Sequence, residues 1–140
     1  MAKGLRTLIR VHEWDVDEKR RFLGRLLDHV NALERQGRDL ETEIKSEQGI
    51  CAASEEVGFA YGAYAEAAIH RREDIAGNIV RTEIEIVTAQ DVLTEAYREL
   101  KTYEIAQENR DREEIMELDR KEQAELDEIG LRGARRRKGP

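Results

Sequence analysis

The sequence predicts an all-α protein: two long helices in an antiparallel coiled-coil hairpin, the second longer and overhanging the first. Three observations predict it. Apolar side chains recur at alternating three- and four-residue spacing along two long segments. The single proline is residue 140, so nothing earlier in the chain forces a helix to break. Charged residues make up 39 % of the chain and aromatics 5 %, whereas ordinary globular proteins carry about 25 % charged residues. Such a chain is too polar for a large buried core, yet 39 % hydrophobic residues is too many for disorder. Helix formers at heptad spacing reconcile the two.

The expected organisation is one hairpin over residues 1–130. Its first arm covers 5–47, its turn 48–58 and its second arm 59–129; a disordered basic tail follows at 131–140. In the first arm one seam row is Ile9, Val16, Leu23, Val30, Gly37 and Ile44. The row three residues on is His12, Lys19, Leu26, Leu33 and Leu40. These are the a and d positions of a coiled coil. The seam is fully apolar from Leu23 to Leu33, while His12 and Lys19 weaken it toward the N-terminus. Leu5, Leu8, Phe22 and Leu27 widen the apolar face beyond a strict seam.

The turn stretch QGICAASEEVG, residues 48–58, is the one place between residues 5 and 129 where the helical pattern stops and restarts. Ser54 is an expected N-cap, with Glu55 and Glu56 favourable in a first turn. Helix can restart near Glu55, or later if Gly58 and Gly62 delay it. The small residues of FAYGAYAEAA, residues 59–68, allow two backbones to approach closely.

The second arm continues the seam through Ile79, Ile86, Leu93 and Leu100, with Ile75, Thr82, Ala89, Ala96 and Tyr103 in the other row. A short connection makes the arms antiparallel neighbours. Folding about residue 53 places Leu40 near Ala65 to Ala68, Leu26 near Ile79 and Ile9 near Ala96, with Gly37 opposite Ile69 and Arg72. The seam fades from Gln107 to Glu114 and resumes, phase-shifted, at Ile115, Leu118, Leu126 and Ile129. That overhang is either a solvated single helix held by Glu–Arg pairs or a segment ordered by another molecule. A second apolar row, Val80, Ile84 and Val87, has no partner in a two-helix hairpin. It either covers a third helix or a second copy, or docks another protein.

Catalytic patterns are missing. The sequence holds no phosphate-binding or dinucleotide glycine loop, no nucleophile elbow and no CxxC pair. Its histidines, His12, His29 and His70, are not spaced as ligands; Glu66 and His70 share a face without the further carboxylates of a di-iron site. Cys51 has no base beside it, excludes an internal disulfide, and fits a reducing cytoplasm. Trp14 either fills the seam edge beside His12 or stands out as an anchor. We expect no enzyme activity, cofactor, metal or small-molecule substrate. The net charge of −7 argues against nucleic acid as the main partner, and the basic run LRGARRRKGP also suits acidic proteins or anionic membranes. The N-terminal MAKGLRTLIRVHEWDVDEKRR is interrupted by charge, so a signal peptide or membrane span is not expected.

Four stretches carry a family likeness: GLRTLIRVHEWDVDEKRR at 4–21, GFAYGAYAEAA at 58–68, LTEAYRELKTYEIAQENR at 93–110 and EQAELDEIGLR at 122–132. In this order they resemble the FliJ family of flagellar export proteins. The resemblance implies a coiled-coil stalk, cytoplasmic and peripheral to the inner-membrane export apparatus. Such a stalk binds the hexameric ring of the flagellar export ATPase, promotes its assembly, and links it to the export gate and export chaperones. It further implies a ring-facing end carrying both termini, here Leu5, Leu8, Ile9 and Trp14 on one arm with Lys101, Tyr103 and Glu104, or the overhang, on the other. Gate contact maps onto Tyr61, Tyr64 and Ala68. The alternatives are a free-standing coiled-coil scaffold or dimerisation module, and the equivalent stalk of a virulence-type secretion system.

Overall fold

The structure, a computed structural model, describes the backbone of residues 2–52 and 55–137, and side chains from 4 to 52 and from 60 to 137. Two helices account for nearly all of it: α1, Ala2–Cys51, and α2, Glu55–Arg137. No described residue has a positive φ or a cis peptide bond. The chain divides into two compact units, Trp14–Tyr97 and Met1–Glu13 with Arg98–Pro140. In each, a stretch of α1 packs against a stretch of α2.

Helix persists further than the turn residues suggested. Gln48 to Cys51 belong to α1, where the Ala52 amide donates to the Gln48 carbonyl at 3.0 Å. Glu55 already opens α2, and Gly58 and Gly62 lie within it. A glycine costs a helix interior about 1 kcal/mol relative to alanine, less than an extended, continuous helix recovers. The Ser54 cap lies outside the described residues.

At the other end α2 runs through Arg137, beyond the expected arm end at residue 129 and into the stretch expected to be disordered. Arginine is a good helix former. Arg135, Arg136 and Arg137 occupy the last turn, where cations complement the helix dipole. Arg132 also pairs with Glu128 one turn back, at 3.0 Å.

In the unit Trp14–Tyr97 the seam positions turn inward on both helices. Val16, Val30, Leu33 and Leu40 of α1 are buried, as are Ala68, Thr82, Ile86, Ala89 and Ala96 of α2. Leu40 is the deepest at 1 % exposure. The polar members find partners. The Thr82 hydroxyl donates to the Asn78 carbonyl at 2.7 Å, and Lys19 reaches back to Asp15 at 2.7 Å. The lysine keeps its stem over the seam and its charge at the rim.

The register of this unit differs from the fold about residue 53. An added Cβ at Gly37 would lie 3.7 Å from Ile75 Cγ2, not against Ile69. Arg72 pairs with Glu41 at 2.7 Å and Arg71 with Glu43 at 3.6 Å. Leu40 shares a groove with Ile75 and Ile79, while Ala65 and Ala68 sit with Ile44 and Gln48. The Gly37–Ile69 and Leu40 pairings have moved by about one heptad, while Gly37 and Arg72 still line one groove. A slip of that size returns a and d positions to a and d positions, so the apolar pattern is satisfied either way.

In the unit formed by Met1–Glu13 and Arg98–Pro140, Leu100 is buried and His12 stacks on Tyr103 with ring centroids 4.6 Å apart. His12 Nδ1 also lies 3.7 Å from Glu99. The histidine expected to weaken the seam is thus part of an aromatic pair. Residues 108–137 are exposed along their whole length. They carry intrahelical pairs instead: Gln107 donates to Asp111 at 2.8 Å and Gln123 to Asp127 at 3.1 Å. Arg120 lies 3.7 Å from Glu117. This is the single-helix form of the overhang.

Candidate functional site

Helical phase decides what each candidate residue can offer a partner. In the terminal unit, Leu5 and Ile9 are half-buried, whereas Leu8 is exposed. Lys101 is exposed as well. Tyr103 and Glu104 are half-buried, with Tyr103 held by its stack on His12. Seam positions anchor this group while Leu8 and Lys101 present chemistry outward. Trp14 belongs to the other unit. At 64 % exposure it does not fill the seam edge; it is the exposed alternative.

The α2 group separates in the same way. Ala68 is buried at 4 % exposure, a seam residue facing α1 that is closed to partners. Tyr61 and Tyr64 are half-buried, their rings 6.1 Å apart and tilted by 38°. The Tyr64 hydroxyl is shielded from solvent with no partner at hydrogen-bond geometry. Burial first, then the nearby Glu43 and Glu47 carboxylates, pushes its pKa above the ordinary 10.0, opposed by Arg71. Both leading causes disfavour the phenolate. Any stability tied to this phenol is therefore present below pH 10 and lost as pH rises through its elevated value. In an ultraviolet titration we expect a tyrosinate component above pH 10.0 that disappears in Tyr64→Phe and moves down in Glu43→Gln.

Val80, Ile84 and Val87 are exposed, in agreement with their lack of an internal partner. Two features were not anticipated. Ile84 forms one wall of a groove with Phe22, Arg25, Thr88 and Val92, of about 530 Å³. Arg20 donates to the Tyr97 hydroxyl while its guanidinium lies 5.7 Å from the ring centroid. Both depend on which α2 residues face Lys19 to Arg25, and hence on the register. A second groove, near 650 Å³, opens where Gly37 leaves a seam position without a side chain beside Ile75 and Ile79.

Among the described residues, no group of three or more His, Cys, Asp or Glu side chains is placed to hold a metal ion. No described helix is long and apolar enough to cross a membrane. What the arrangement presents is a set of partly exposed apolar and aromatic residues on two packed helices.

Comparison with known proteins agrees with this form. Residues 1–139 match the family model described as Flagellar FliJ protein. The Flagellar FliJ protein of Caulobacter vibrioides (strain NA1000 / CB15N) is 27 % identical over 134 residues, covering 96 % of each chain. The protein of the same name from Caulobacter vibrioides (strain ATCC 19089 / CIP 103742 / CB 15) gives the same values. No solved structure matches. With the family model spanning nearly the whole chain over two packed helices, this chain belongs to the flagellar FliJ protein family.

Proposed function

We propose that this chain is a non-enzymatic component of the flagellar protein export apparatus. In this reading it is a cytoplasmic coiled-coil stalk, peripheral to the inner membrane, that binds the export ATPase ring and promotes its assembly. It links the ring to the export gate and to export chaperones. The observation that carries the reading is the family match over residues 1–139; the Caulobacter relatives, named as flagellar proteins, support it.

The side chains suit the role. Leu8 and Lys101 are the outward contacts of the ring-binding group, and Leu5, Ile9, Tyr103 and Glu104 hold the two helices beneath them. Trp14 is a separate anchor; exposed tryptophans concentrate binding energy. On the gate and partner side, Val80, Ile84 and Val87 make the apolar contact and Tyr61 and Tyr64 its aromatic flank. Ala68 contributes from beneath, as the small residue packed against α1.

The test is to mix the chain with the flagellar export ATPase and its regulator, then follow hexamer formation and ATP turnover. We expect both to rise. Leu8→Asp with Lys101→Glu should weaken the response at least about tenfold, the scale of a lost interface anchor, with helicity unchanged. No response from the unmodified chain overturns the reading.

A further inference from the structure

The exposed length of α2 carries a pattern that the packing of the two helices does not use. Ile115, Leu118, Glu122, Leu126 and Ile129 follow one another at spacings of three, four, four and three. At 100° per residue they fall within an arc of about 80°. Read from either end the series is the same, with Glu122 at its centre. All four apolar members are exposed. A stripe with this symmetry matches itself when a second copy is laid against it antiparallel: Ile115 meets Ile129, Leu118 meets Leu126, and Glu122 meets its own counterpart. Such self-complementarity is what a two-fold interface requires.

The flanking charges follow the same symmetry. In an antiparallel pair each edge of the stripe meets the same edge of the other helix. On one edge this sets Glu114 beside Arg132 of the second copy, and Lys121 beside Glu125 of the second copy. On the other it sets Glu108 beside Arg137 of the second copy. The acidic run and the basic end of α2 are thereby brought together, each pair occurring twice. The opposed Glu122 carboxylates are the repulsive contact on the axis itself, of the kind that fixes register at a cost in affinity, and each Lys121 lies about as near its own counterpart along the axis as Glu125.

We propose that residues 108–137 of α2 form an antiparallel two-fold interface with a second copy of this chain, centred on Glu122. The pairing is reversible, because the stripe is narrow and its centre is charged.

The test uses the full chain with Cys51→Ala and one cysteine added at a time. Glu122→Cys places two thiols at the two-fold axis and should yield a disulfide dimer under mild oxidation. Ala124→Cys, on the far side of the helix, should link at least about tenfold more slowly, since a bridge requires Cβ atoms about 4 Å apart. Ile115→Cys alone should not link, but mixed with Ile129→Cys it should. The unmodified chain should move from 16.2 kDa toward twice that mass as concentration rises through about 1–200 µM. Glu122→Gln should tighten the dimer about tenfold by removing the opposed charges. A chain that stays monomeric throughout, or links equally fast through residue 124, overturns the proposal. So does efficient self-linkage of Ile115→Cys, the mark of a parallel pair.

Discussion

Replacing Leu40 with alanine is expected to lower the unfolding free energy by about 3 kcal/mol. Leu40 is the most deeply buried large side chain of the unit Trp14–Tyr97, at 1 % exposure. Burying a leucine side chain is worth about 1.5–3 kcal/mol, and a residual cavity adds to the loss. The surroundings determine how much of that cavity closes. One neighbouring seam position is Gly37, which already leaves a groove beside Ile75 and Ile79. The vacated space opens into that groove, where only Ile75 and Ile79 stand across from it to move in. Closure is therefore incomplete and the effect stays above that of Val16→Ala or Val30→Ala, which delete less. Urea unfolding followed by circular dichroism reads the difference directly. A loss under about 1 kcal/mol would mean that Leu40 is not enclosed between the helices.

A disulfide between residues 37 and 75 is the second large effect. In a Cys51→Ala background, Gly37→Cys with Ile75→Cys should close within one chain, and Gly37→Cys with Ile69→Cys should not. A Cβ at position 37 would lie 3.7 Å from Ile75 Cγ2, so the two Cβ atoms stand about 4–5 Å apart and a small shift of the helices brings them to bridge geometry. Closing a loop of that length removes denatured-state entropy worth about 4 kcal/mol on the chain-entropy account. The loss of the Ile75 side chain offsets part of it, leaving a net gain of about 1–2 kcal/mol. Electrophoretic mobility under oxidising conditions separates closed from open chains. Preferential closure of the 37–69 pair would restore the register centred on residue 53.

These two experiments touch both sides of the boundary between what the pattern of residues specifies and what it leaves open. Val16, Val30, Leu33 and Leu40 were legible as seam positions because their periodicity reports one buried face, whatever that face meets. Thr82, Ala89 and Ala96 were legible for the same reason, although none is strongly apolar. The exposure of Val80, Ile84 and Val87 followed from the phase of the same helix. Much less could be read about the candidate surfaces. Ala68 stood among residues assigned to a partner, yet its phase turns it inward. Trp14 was open between seam edge and anchor, since its position borders the apolar arc; the packing of α1 leaves it exposed.

Helix ends were harder still. Gly58 and Gly62 weaken helix locally, but the cost of about 1 kcal/mol each is small against a continuous run of hydrogen bonds. Arg132 to Arg137 look like a solvated tail by composition. Their helix propensity and the favourable end of the dipole carry α2 through them instead.

By itself the sequence determined an all-helical chain with two apolar seams and an exposed, charge-paired second helix beyond them. Each of these rests on side-chain phase within one helix, and phase is a local property. Only the tertiary structure decided which residue faces which: Gly37 against Ile75, Glu41 against Arg72, His12 against Tyr103. The physical reason is that a heptad seam repeats every seven residues, so registers one heptad apart bury equivalent rows of a and d positions. The choice between them falls to the geometry of the short connection and to individual pairs across the seam.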